Sequence, residues 1–310
     1  MTKSINNLGK IMLCLVVLCF FLVGLSREIF AQEAIGISVG YEFIPYTKFS
    51  EPDPAVPGME DVELQLNTIS IGAAFPLSFA EGKTLLLNQI SYSRIGFYWE
   101  NYVSGMGPRI DQAHSIRYTA FLLQTLNERW SLAMVVTPGM ASDFEGKIST
   151  DDFTFDGAVG AMRAFGEKKN FTLGSGLAYS RDFGTPLPIP FIYIDWNITS
   201  KLNANGLLPQ YLDITYSLHP VIDIGISASI NGNRYHGDPD KFTADNPQMK
   251  YSLGTIGPKA QIHITKWLHL NLEGGYALFR NFEFWDGPDK AQSFDMERNY
   301  YLRTSMVFGM

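Results

Sequence analysis

Beyond residue 32 the sequence contains no cysteine. Cys14 and Cys19 are its only two, so the chain that follows can form neither a disulfide nor a thiolate metal site. A second long hydrophobic run is also missing. Apart from residues 11–25, no segment approaches the roughly 20 apolar residues that a membrane-crossing helix needs. Sustained helical periodicity is absent, so the chain reads as strands, and a soluble periplasmic β-sandwich is the fold alternative to a barrel. Basic residues are in deficit, 24 against 31 acidic. That balance excludes nucleic acid as a partner, because phosphate binding needs clustered Lys and Arg. No Ser/Pro/Gly linker, low-complexity tract or charge block marks a boundary, so a single domain is expected.

Residues 1–32 read as a secretory signal. Lys3 and Lys10 form a basic n-region, residues 11–25 are an uncharged apolar run, and Ala31-Gln32 offers a small-residue cleavage point. Fifteen residues are too few for a helical anchor. Leu18, before Cys19, is not the small residue that lipoprotein processing needs. The expected division is a signal peptide over residues 1–32 and one domain over residues 33–310. Removing the signal takes Lys3, Lys10 and Arg27 against Glu28 and moves the formal charge from −7 to −9.

What the remaining sequence has is alternation. In residues 221–231, Ile222, Ile224, Ile226, Ala228 and Ile230 share one face of an extended chain. Asp223, Gly225, Ser227, Ser229 and Asn231 share the other. Residues 268–278 repeat the pattern, with Leu268, Leu270, Leu272 and Tyr276 set against His269, Asn271, Glu273 and Gly275. Such runs predict fourteen strands, near residues 34–44, 62–75, 84–98, 114–126, 130–141, 153–165, 171–182, 190–198, 202–208, 211–218, 221–232, 249–264, 268–283 and 297–309.

In an exported chain the apolar face meets lipid. Unpaired backbone groups are not tolerated there, so strands cross only as a closed barrel without a free edge. The expected fold is all-β: a closed antiparallel transmembrane β-barrel of about fourteen strands in the outer membrane of a Gram-negative-type cell. Asn205-Gly206 is itself a hairpin signal, and twelve strands would follow if it formed the turn. The long acidic segment after Asn231 would then face the periplasm, against the usual asymmetry.

The junctions support fourteen. With the N-terminus inside, the even junctions Ala80-Glu-Gly-Lys83, Asn127-Glu-Arg129, Gly166-Glu-Lys-Lys-Asn170, Ser200-Lys201, His219-Pro220 and Lys266-Trp267 must be periplasmic, and all are short. Residues 46–61, 101–112, 143–152, 233–248 and 287–296 are long and acidic, as outer loops are. Trp130, Trp196 and Trp267 lie by short junctions and Trp99 and Trp285 by long ones, a placement that predicts two interfacial girdles.

The chain ends inside a strand. Tyr300, Leu302, Met306, Phe308 and Met310 share one face, and Tyr301, Arg303, Ser305, Val307 and Gly309 the other. This segment resembles the closing-strand signal read by the barrel-assembly machinery, with Gly309-Met310 following the aromatic Phe308 where that signal usually ends. Arg129-Trp-Ser-Leu, Pro138-Gly139, Leu187-Pro-Ile-Pro190, Trp196, Leu208-Pro209 and Leu212-Asp-Ile-Thr-Tyr-Ser-Leu218 carry a second resemblance. On these residues the chain resembles an uncharacterised family of outer-membrane barrels, domain of unknown function 6268. That resemblance implies a location and a fold, and it transfers no catalytic residue.

Chemistry-bearing motifs are sparse. The five histidines, His114, His219, His236, His263 and His269, form no metal-type cluster. Neither a metal nor a cofactor is expected. His114-Ser115 fails as a dyad because adjacent strand residues face opposite ways. His263 and Thr265 share a face without a third orienting group. His236 with Asp238, Asp240 and Asp245 reads as a solvated acidic loop before it reads as a site.

Inward-assigned charges are the remaining candidates. Glu42, Arg117, Asp156, Asp195, Asp213, Asp223, Glu273 and Arg303 are expected to line the lumen, either as a field favouring cations or as paired charges that cross-link the wall. Two function classes follow, both non-enzymatic: a passive channel for a small solute, and a structural or surface-interaction barrel plugged by residues 46–61 with Pro54 and Pro57. A lipid-modifying enzyme using His236 or His263 is the weaker third. Expected partners are outer-membrane lipid and the barrel-assembly machinery.

Overall fold

The computed structural model describes residues 36–50, 58–102, 109–180, 187–238, 246–287 and 289–309. The expected signal peptide, Pro54, Pro57, Asp240, Asp245 and Met310 lie outside them. The strands are β1 (Gly36–Lys48), β2 (Glu63–Phe79), β3 (Thr84–Glu100), β4 (Gln112–Thr125), β5 (Trp130–Ser142), β6 (Phe153–Phe165), β7 (Phe171–Ser180), β8 (Leu187–Asn197), β9 (Leu202–Leu208), β10 (Tyr211–His219), β11 (Ile222–His236), β12 (Pro247–His263), β13 (Leu268–Asp286), β14 (Asp289–Asp295) and β15 (Asn299–Phe308).

From β1 to β13 each strand pairs antiparallel with the next, and β15 closes the ring between β13 and β1. β14 continues the line of β15 along the upper edge of β13, so the fifteen segments make fourteen wall positions. Asn205-Gly206 is mid-strand, with Asn205 opposite both Asp195 and Asp213. The twelve-strand alternative is thereby excluded. All six short junctions are turns.

The long outer segments differ from expectation. β11 runs on to His236, β12 begins at Pro247, and much of the expected loop over residues 287–296 is β14. The reason is that the wall does not stop at the membrane. β13 has 19 residues and β2, β3 and β12 have 17, whereas about 9 to 11 suffice for a tilted crossing.

Where these strands leave lipid, their alternation inverts without a change of strand. On β12, Ile256, Ala260 and Ile262 face outward below, while above them Met249, Tyr251 and Leu253 face inward and Lys250 and Ser252 outward. β2 exposes Ile69 and Ile71 below and buries Leu64 and Leu66 above. β3 exposes Ile90 and buries Ile95 and Phe97. Apolar side chains face lipid in the lower part and one another in the upper part.

Strand lengths shape the upper part. β9 has 7 residues and β10 has 9, so the wall from β6 to β10 ends low. Above it the end of β11 meets the end of β5, with His236 opposite Ser142 in a parallel bridge. β14 meets β1 through Phe49 and Met296. The outer end is therefore a neck of nine strands, β1 to β5 and β11 to β14, standing on a body of fourteen. A barrel of about eight strands is just filled by its own side chains, and a wider one is not. The hydrophobic core of the molecule accordingly sits in the neck.

The two expected tryptophan girdles are half present. Trp130, Trp196 and Trp267 are exposed on the outer face beside the short turns, where Trp196 packs on Phe171 and Trp267 on Phe308. Trp99 instead packs against the neck core and donates from Nε1 to the Ile110 carbonyl at 2.9 Å. Trp285 donates to Glu283 in the polar corner above lipid.

Candidate functional site: the lumen and its neck

Glu42, Arg117, Asp156, Asp195, Asp213, Asp223, Glu273 and Arg303 sit on the strand faces opposite the exposed apolar side chains. Register places Glu42 opposite Arg303, Glu273 opposite Arg303 and Lys259, Asp195 opposite Asn205, and Asp213 opposite Ser227. Glu42, Glu273 and Arg303 come together. Arg303 Nε donates to Glu42 Oε2 at 2.8 Å and Nη1 to Glu273 Oε1 at 3.1 Å, and Tyr301 Oη donates to the same Glu273 oxygen at 2.6 Å. Three adjacent strands, β1, β15 and β13, are thus tied at the top of the body.

The other charges are apart from that cluster. Asp213 accepts from Lys259 Nζ at 2.7 Å, and Asp195 from Asn203 Nδ2 at 3.4 Å. Asp223 Oδ2 lies 2.9 Å from His263 Nε2, and His263 Nδ1 lies 2.8 Å from His269 Nδ1. Arg117 and Asp156 face inward on β4 and β6, and neither is free of partners. Of these charges Glu42 and Glu273 are paired with Arg303, and Asp213 with Lys259.

Lys259 escaped the sequence reading, and His269, placed there on the polar face of its strand, was not named among the lumen charges, although alternation could have found both. Pro258, Ala260 and Ile262 share the lipid face of β12, which leaves Lys259 and His263 inward. His269 has the parity of Glu273 on β13. Between the charged groups the wall is small or hydroxylic, with Gly40 against Ser70 and Gly72 against Ser91. On the far side Phe191 and Tyr193 stand over Gly176, Gly160 and Gly174. A Cβ on Gly176 would meet Val159 O at 2.1 Å and Phe191 Cζ at 2.5 Å. These glycines form a floor for lumen aromatics.

The neck is packed with apolar side chains. Phe97 on β3 meets Phe282 on β13 across the interior at 5.9 Å, and Phe282 stacks on Tyr251 at 4.9 Å. Phe49 and Met59, from the two ends of the segment expected to plug the barrel, and Val62 just beyond it are buried in the same core. Phe49 lies 5.1 Å from Phe294.

His236 departs from the solvated-loop expectation. It is buried with Asp152, its Nδ1 2.9 Å from Asp152 Oδ1, and Asp152 caps the turn Thr150–Asp152 by accepting from Ser149 N. The His236 carbonyl accepts from Ser142 Oγ at 3.0 Å and from Asp143 N at 3.1 Å. This is a clasp holding β11 to β5. Among the described residues no hydroxyl bonds the second ring nitrogen. His114 bonds the Tyr92 hydroxyl at 2.8 Å while Ser115 turns inward, and Thr265 caps Trp267 N in the turn beyond His263. No group of three or more metal-ligating side chains occurs among the described residues.

Several solved barrels are similar to this chain. The COG4313 outer membrane channel from Pseudomonas putida F1 is 13% identical with a TM-score of 0.43, covering 92% of this chain and 98% of its own. The toluene transporter TodX of P. putida is 8% identical with a TM-score of 0.40, covering 90% of each chain. The translocator domain of the autotransporter NalP from Neisseria meningitidis is 9% identical with a TM-score of 0.37, covering 98% of this chain and 97% of its own. No curated protein matches the chain. One family model matches residues 27–310, and the chain therefore belongs to the family described as Domain of unknown function (DUF6268).

Proposed function

We propose that this outer-membrane barrel is a passive channel for small solutes whose resting state is closed at the neck. One observation carries the reading: the same strands build a fourteen-position body with a polar, glycine-rich lumen and a nine-strand neck filled by apolar side chains. A body of that width exceeds what its wall side chains fill, so passage is limited at the neck. Glu42, Glu273, Arg303, Lys259 and Asp213 would be met by a solute in the body, held in pairs that change little as it passes. No catalytic step is part of the reading. Outer-membrane lipid would bathe the apolar belt, and β15 with Phe308 would be engaged by the assembly machinery.

The closed neck also favours a second reading, a structural or surface-interaction barrel that never opens. Single-channel recording in planar bilayers separates them. The parent protein is expected to conduct in rare, brief events, and the Phe97→Ala/Phe282→Ala variant persistently. A variant that is folded by heat-modifiable gel mobility and still silent would favour the structural barrel.

A further inference from the structure

Arg280 stands where lumen and neck meet. It is 1% exposed, and none of its three guanidinium nitrogens has a hydrogen-bond partner. The hydroxyl of Tyr251, buried beside it, is likewise unpartnered. Among the described residues no carboxylate is paired with the guanidinium. Glu42 and Glu273 are both held by Arg303. An arginine keeps its proton in a protein, so this is a buried, uncompensated cation with five idle donors. Such a group calls for a partner that the described residues do not supply.

The backbone aims it there. Below Ala277 the inward residues of β13 are odd-numbered, as Glu273 and Gly275 show. Continued regularly, that order would turn Arg280 outward. Instead β13 carries one extra residue where Gly254 opposes Phe279 and Thr255 opposes Ala277. A bulge re-aims the side chains beyond it, and here it brings Arg280 in opposite Leu253, followed by Phe282. Charge and apolar surroundings enter together.

We propose that Arg280 and the Tyr251 hydroxyl form a binding site for the carboxylate of an amphiphilic organic acid, whose apolar body lies against neck residues such as Leu253 and Phe282. The planar guanidinium matches a carboxylate with two parallel N–H···O bonds, a fit that a spherical anion lacks. Tyr251 adds a third donor from the neighbouring strand. The aromatic lining selects a ligand that is apolar beyond its charged end. The site stands independently of the channel reading, because it rests only on the unpartnered guanidinium and hydroxyl at the base of the neck.

The test measures the thermal midpoint of the folded protein in a neutral detergent at constant ionic strength, titrated with octanoate, 1-octanol or chloride. Octanoate is expected to raise the parent midpoint saturably, and octanol and chloride to leave it unchanged. Arg280→Met should abolish the rise. Arg280→Lys, which keeps the charge and loses the fork, should weaken apparent affinity about tenfold, and Tyr251→Phe about threefold to tenfold. An equal rise with octanol or chloride would overturn the proposal, as would an octanoate response that survives in Arg280→Met. Should that variant not fold, unchanged affinity in both Arg280→Lys and Tyr251→Phe overturns it.

Discussion

Single side chains mark where the membrane ends. Glu283 faces outward on β13 just above the lipid belt, accepting from Lys250 Nζ at 3.2 Å, Lys290 Nζ at 2.8 Å and Trp285 Nε1 at 3.1 Å. Burial pushes its carboxyl up, but the donors outweigh that and hold it below the usual carboxylate value. A depressed carboxyl contributes stability above its unfolded value and loses it as pH falls through the folded one. Acid should therefore loosen the corner of β12, β13 and β14, seen as faster amide exchange there below the ordinary carboxylate range. Glu283→Gln should remove that pH dependence at a loss of about 1 kcal/mol or less at neutral pH. Arg280 presents the opposite case, a charge that weakens the fold in the absence of ligand. Replacing a buried ionic group by an apolar one of similar size is often stabilising by about 1 to 4 kcal/mol. Arg280→Met should accordingly raise the ligand-free thermal midpoint, and a clear fall would mean that the guanidinium is satisfied in the folded protein.

At the scale of elements, much of the wall was legible because lipid imposes one rule on every strand that crosses it. Ile222, Ile224 and Ile226 fixed the phase of β11, and the short turns fixed the direction of the crossings. The neck was not legible by that rule. Above the membrane water lies outside and the core inside, so the same alternation reverses its meaning, and segments such as residues 233–236 and 289–295 read as polar loops. A period-two pattern that changes phase within one strand, Ile256 and Ile262 giving way to Tyr251 and Leu253, is the signal that marks the change. The β5–β11 clasp was illegible for another reason, since Asp152 and His236 are 84 positions apart. Both side chains are buried, and removing one partner of a buried hydrogen bond leaves the other unsatisfied at a cost of about 1 to 3 kcal/mol. His236→Ala should thus free the strand ends locally. Hydrogen exchange should rise at residues 142–143 and 234–238 while β6 to β10 stay protected, and an unchanged pattern would remove the clasp from the account of the neck.

The whole molecule joins two solvents. Its body is stabilised by backbone pairing that lipid makes obligatory, and its neck by apolar packing in water, the ordinary basis of a soluble core. These two parts share strands β1 to β5 and β11 to β13, yet a lesion in one need not propagate. Removing the Phe97 ring from the neck core should cost about 3 to 5 kcal/mol in transfer and cavity terms. That loss falls on packing above the membrane and touches no hydrogen bond of the body. Phe97→Ala is therefore expected to raise amide exchange in residues 249–253 and 282–284 while the gel-shift temperature, which reports unfolding of the lipid-embedded ring, stays close to that of the parent. A gel-shift temperature that falls in step with neck exchange would show one cooperative unit, and opening the neck would then require breaking the ring beneath it.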